Sequence, residues 1–113
     1  MPRRSDEPFA WMPFAAGGMV AALVTPILIV STGVLLPLGI LDLSYDHIHA
    51  LASGWIGKLA ITAIIFLTAW HAAHRIQATA HDLGWGGGMG LKRICYGTAT
   101  FIGAVALIAL TTI

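Results

Sequence analysis

PFAWMPFAAGGMVAALVTPILIVSTGVLLPLGIL, residues 8–41, contains no Asp, Glu, Lys or Arg. Roughly 20 consecutive apolar residues suffice for a helix to cross the hydrocarbon core of a bilayer, so this stretch predicts a membrane-spanning helix, placed at about residues 16–38. It is longer than the apolar core of a signal peptide and shows no convincing small-residue cleavage site, so it is expected to stay in the protein. Ahead of it, Ser5 or Asp6 followed by Pro8 supplies a helix start, with side-chain acceptors for free N–H groups and then a residue that has no donor to satisfy. Pro13 predicts a short first turn and then a second start. Pro26 removes a backbone hydrogen bond within the span and predicts a bend, tolerated where neighbouring helices cover the break. Pro37 and Gly39 end the span.

The rest of the chain repeats the theme. It has 113 residues, 58% of them hydrophobic and only 10% charged, where a soluble domain carries about 25% charged residues. A second span at about residues 48–70 is interrupted only by Lys58, and a third covers about residues 94–113. The expected fold is all-α: an integral membrane protein with three transmembrane helices, one domain over residues 1–113, and no room for a catalytic domain of its own. The formal net charge is +1 and the 6 Lys and Arg residues form no stripe that follows a phosphate backbone, which argues against a nucleic-acid partner. Cys95, the only cysteine, offers no internal disulfide or metal-binding spacing and reads as a small apolar packing residue at the start of a helix.

Orientation follows from the basic residues. Arg3 and Arg4 precede the first span, and Arg75, Lys92 and Arg93 lie between the second and third, whereas the first loop carries Asp42, Asp46, His47 and His49. The positive-inside bias therefore predicts a cytoplasmic N-terminus and a cytoplasmic second loop, with the first loop and the C-terminus outside. Lys58 falls about two turns inside the outer end of the second span. Such a charge either snorkels outward, pairs with a structural partner, or contacts a bound lipid or quinone. Small residues spaced four apart, Gly18 with Ala22, Ala21 with Thr25 and Ala99 with Gly103, predict close helix packing, and a partner subunit is the economical cover for what three helices leave open.

The polar residues that carry chemistry gather at the inward ends. If the second helix continues past Trp70, residues 71, 74, 78 and 81 form one stripe, reading His71, His74, Ala78 and His81, with Arg75 beside it. Gly84 and the glycines after it predict the helix stop. Three readings compete: an interfacial helix end meeting headgroups and water, an axial haem ligand, or a site for a quinone whose oxygens accept hydrogen bonds while apolar helix faces hold its tail. Trp11 and Arg75, remote in sequence, both fall at this interface. Trp11 is either an interface anchor or an indole donor that converges with Arg75 on one headgroup near Gly17 and Gly18, where a missing side chain opens space.

At these residues the chain resembles the D subunit of quinol:fumarate reductase, the smaller membrane anchor of the bacterial complex II family. The resemblance covers nearly the whole chain, most sharply in RRSDEP at 3–8, AAGGM at 15–19, VLLPLGI at 34–40, AHR at 73–75 and AHDL at 80–83. It implies a heterotetramer in the bacterial cytoplasmic (inner) membrane. A fumarate reductase flavoprotein with covalent FAD reduces fumarate and an iron-sulfur protein relays electrons. Two membrane anchors, the C and D subunits, hold both to the lipid bilayer and bind menaquinol in anaerobic respiration. This chain is then a non-catalytic subunit of an oxidoreductase complex. On matching motif positions the resemblance assigns quinone binding to Trp11 and Arg75, and His74 stands with them as a candidate ligand. The family's anchors of this kind usually lack haem. One departure is plain: where the family pattern follows its HR pair with further histidines, this chain has Gln77 and Ala78, so contacts through those histidines are not carried over, and His74, His81, water or a partner side chain are the substitutes. The other classes to weigh are a haem b-containing succinate dehydrogenase anchor and a non-redox small membrane protein such as a channel or exporter. An exporter lacks its usual carboxylate within the spans, and a channel lacks a repeated polar face.

Overall fold

The computed structural model describes residues 7–85 and 88–113. Its first helix, α1 (Glu7–Val30), runs unbroken through both Pro13 and Pro26. The second start expected at Pro13 does not form. The missing Pro13 N–H leaves the carbonyl of Phe9 without its usual donor, the loss of one bond in a ladder that otherwise continues. The cap expected at Ser5 or Asp6 lies outside the described residues. In the turn after Pro26 the ladder widens into a π-helical stretch, Ser31–Leu35, where the Leu36 N–H donates to the Ser31 carbonyl at 2.9 Å. A wider turn absorbs one residue in a hydrogen-bond ladder already interrupted by proline. The path then ends where Gly39 turns to φ +70°, its N–H donating to Leu36 O at 3.1 Å while that of Ile40 donates to Leu35 O at 3.0 Å. This pair of bonds satisfies the last helical carbonyls and calls for the left-handed backbone that glycine adopts without strain.

The second span differs from its expected form. Residues 48–53 belong to a separate short helix, α2 (Tyr45–Ser53), capped by the Ser44 hydroxyl, which accepts from the His47 N–H at 3.3 Å. Gly54 is extended, and the spanning helix α3 (Trp55–Asp82) begins after it. The chain doubles back so tightly here that a Cβ on Gly57 would overlap the Leu51 carbonyl. α3 has 28 residues, about 42 Å at 1.5 Å per residue, against a hydrocarbon core of roughly 30 Å. It is therefore longer than the hydrocarbon core it would cross. Gly84, at φ +75°, stops it with the same pair of bonds: Gly84 N–H to His81 O and Trp85 N–H to Ala80 O, each 3.0 Å. The last helix is α4 (Met89–Thr111).

Among the described residues three helices are thus long and apolar enough to cross a membrane. α3 is the central one, with α1 and α4 each packed against it, while the backbones of α1 and α4 do not approach closely among the described residues. The α3–α4 seam is built on small side chains. Ala99 and Gly103 are buried, and a Cβ on Gly103 would come 2.7 Å from Phe66 Cδ2, while Cys95 is buried with Ala73 and Ala99. On α1 the small stripe divides: Gly17 is buried and Gly18 and Ala21 are half-buried, whereas Ala22 and Thr25 are exposed. Large apolar side chains such as Leu23, Ile27, Phe101 and Ile108 face outward. Lipid is as apolar as those side chains, so close backbone packing rather than burial of large residues holds such helices together. Lys58 has a structural partner, its Nζ donating to the main-chain carbonyl of Ile113 at 3.0 Å. A cation at the carbonyl end of α4 complements both the orphan acceptors and the helix dipole.

Candidate functional site

α1 and α3 run antiparallel, so the early turns of α1 meet the later turns of α3. Two glycines set how closely. A Cβ on Gly17 would overlap the Leu67 carbonyl and lie 2.9 Å from His71 Cβ, and one on Gly18 would lie 3.0 Å from His71 Cε1. The expectation that these glycines open room for a ligand is corrected by this geometry, because α3 fills the room with its own backbone and with the His71 ring.

That approach brings His71 Nδ1 to 3.0 Å from the Phe14 carbonyl oxygen. A carbonyl only accepts, so the ring proton of a neutral His71 sits on Nδ1. The rings of His71 and Phe14 stack in parallel, with centroids 4.5 Å apart. Phe14 also lies against His74 at 4.3 Å and receives Trp11 edge-on at 6.2 Å. His74 in turn reaches α4: its Nδ1 is 2.7 Å from the Tyr96 hydroxyl, and the Tyr96 ring lies 4.6 Å from that of Trp70. One connected set of rings, running from Trp11 to Phe14, branching there to His71 and to His74, and continuing from His74 to Tyr96 and Trp70, therefore ties the three spanning helices together at one end of the bundle.

Among the described residues the Tyr96 hydroxyl has His74 as its only hydrogen-bond partner. A half-buried phenol in that position donates its single proton, since leaving a donor unspent is costly. His74 Nδ1 is then the acceptor, and the proton of a neutral His74 is on Nε2. Trp11 and Arg75 are both exposed, and Arg75 has no side-chain hydrogen bond or ion pair among the described residues. The two are linked by neighbours, with Trp11 on Phe14, Phe14 on His74, and Arg75 next in the chain. The rest of the expected stripe separates, Ala78 being half-buried and His81 exposed. Lys92 and Arg93, near the start of α4, add positive charge at the same end. No three His, Cys, Asp or Glu side chains gather into a metal site among the described residues.

Sequence reasoning does not single out Phe14 or Tyr96. Tyr96 carries a usable signal: it lies as near the start of α4 as His74 lies to the end of α3, so a short loop places both at one depth. Phe14 carries none, because its role depends on the rotational setting of α1 against α3.

These features define a small multi-pass helical membrane protein with a cluster of imidazole and aromatic groups at one end. Within that class the chain belongs to the family of fumarate reductase D subunits, whose profile matches residues 1–111. It is 44% identical over 110 residues to the fumarate reductase D subunit of Vibrio cholerae serotype O1, covering 95% of this chain and 85% of that one. Against the D subunit of Photobacterium profundum it is 42% identical, covering 95% of this chain and 92% of the relative. Against that of Haemophilus ducreyi the identity is 37% over 115 residues, with 96% and 92% coverage.

Proposed function

We propose that this chain is a membrane-anchor subunit of a quinol:fumarate reductase. In this reading it docks the flavoprotein and the iron-sulfur protein to the bacterial inner membrane beside a second anchor, the C subunit, and Trp11, Arg75 and His74 help hold a menaquinol headgroup. The observation that carries the reading is a set of donors the fold leaves unspent around one aromatic face. The Trp11 indole and the Arg75 guanidinium are exposed, and His74 has committed only Nδ1. Donors of this kind suit the oxygens of a quinone, and the outward apolar faces of the helices suit an isoprenoid tail.

When bound, menaquinol supplies the electrons that the partner proteins deliver to fumarate. This chain's own residues supply position and polarity. Phe14 is in ring contact with both histidines and with Trp11 and so fixes where their polar atoms sit. Arg75 places a positive charge beside the headgroup, where lipid and protein exclude water and a charge acts more strongly on a nearby oxygen. The excess of basic residues at this end, Arg75, Lys92 and Arg93, favours the cytoplasmic side, facing the proteins that would receive the electrons.

The test is Arg75→Leu in membranes carrying the complex. Quinol-linked turnover should fall while fumarate reduction driven by an artificial electron donor stays intact. Equal loss of both would mean that Arg75 serves assembly, and an N-terminal reporter that maps outside the cell would remove the shared site.

A further inference from the structure

The two histidines flanking Phe14 carry their protons on opposite ring nitrogens. His71 spends Nδ1–H on the Phe14 carbonyl at 3.0 Å, which leaves Nε2 as a bare lone pair. His74 Nδ1 lies 2.7 Å from the Tyr96 hydroxyl, and with the phenol as donor its own proton is on Nε2, which is left to donate. Among the described residues nothing donates to His71 Nε2, and His71 is half-buried rather than enclosed. Lipid chains offer this acceptor no donor.

We propose that His71 is a further ligand-contacting residue of this site, accepting a hydrogen bond at Nε2 from a hydroxyl of the ligand while His74 donates at its own Nε2. The inference rests on the quinol-binding reading above and deepens it. A hydroquinone carries O–H donors, whereas a quinone oxygen only accepts. A donor and an acceptor offered together therefore favour the reduced form, whereas a site of donors alone would leave the hydroquinone O–H unspent and favour the quinone. The Phe14 carbonyl is what sets this polarity, since it holds the His71 proton on the nitrogen away from the ligand.

The experiment compares two ligands on the purified complex in detergent. Equilibrium dialysis of a short-tailed menaquinol, under reducing anaerobic conditions, is set beside dialysis of its quinone. His71→Asn keeps an N–H where Nδ1 stood, and so keeps the Phe14 contact, but removes the Nε2 acceptor. Affinity for the quinol should fall about tenfold, the usual scale for one lost hydrogen bond, while affinity for the quinone stays as it was. Nitrogen-15 NMR of the histidine-labelled unmodified complex should find His71 protonated at Nδ1 and bare at Nε2. Equal weakening of both ligands by His71→Asn, or a proton on His71 Nε2, overturns the acceptor role. If Trp11→Phe and Arg75→Leu weaken binding while His71→Asn changes nothing, only the role of His71 falls. If none of the three variants alters binding, the quinol-binding reading falls with it.

Discussion

The Tyr96 hydroxyl and His74 Nδ1 lie 2.7 Å apart, making a side-chain hydrogen bond that joins α4 to α3 at the end of the bundle where α1 also arrives. The bond orients an imidazole that would otherwise rotate, and it determines which nitrogen is left facing outward. A phenol ring lying 4.6 Å from that of Trp70 holds it with little freedom.

Tyr96→Phe keeps that ring and removes the bond. The net worth of one such bond is about 0.5–1.5 kcal/mol, so quinol-linked turnover should drop several-fold, with fumarate reduction from an artificial donor unchanged. Side-by-side assays of the two activities check this. Unchanged quinol-linked turnover would show that the bond does not position His74.

Gly17→Leu should separate α1 from α3, because even a Cβ there overlaps the Leu67 carbonyl, which is backbone and cannot rotate away. Overpacking of this kind costs roughly 1–3 kcal/mol or more. The yield of assembled complex in detergent and its thermal midpoint should both fall. Gly33→Ala is the contrast: nothing lies within 4 Å of a Cβ at that position, so yield and midpoint should hold.

Lys58→Met removes the cation that caps the carbonyl end of α4 through Ile113. Lys58 is only half-buried, so the cost should be modest, about 1 kcal/mol. Hydrogen exchange should quicken in the last turn of α4 and nowhere near His71 or His74. Unaltered protection there would count against the cap.

Arg75→Lys should recover only part of what Arg75→Leu loses. Lysine restores the charge but not the planar fork of donors, so quinol affinity in a binding titration should fall between those of the parent and the leucine variant. Full recovery would assign Arg75 a purely electrostatic part.

Some of this protein is legible without coordinates because it depends on neighbours in the chain. A long run free of charge must be a helix in lipid, where every backbone group needs a partner within its own segment. Gly39 and Gly84 end helices because a left-handed residue there is a local requirement, and both adopt positive φ. The break at Gly54 is less legible: apolar residues continue across it, and only the tight return of α2 onto α3 accounts for it. What no reading of the chain could supply is which side chains meet across helices. Gly17 and Gly18 read equally well as space for a ligand or as a packing seam, and the approach of α3 makes them a seam. The commitment of His71 to Phe14, of His74 to Tyr96 and of Lys58 to Ile113 each joins residues far apart in sequence. Such pairings depend on the rotation and depth of one rigid helix against another, and a hydrophobic pattern leaves both free when lipid and protein are equally apolar.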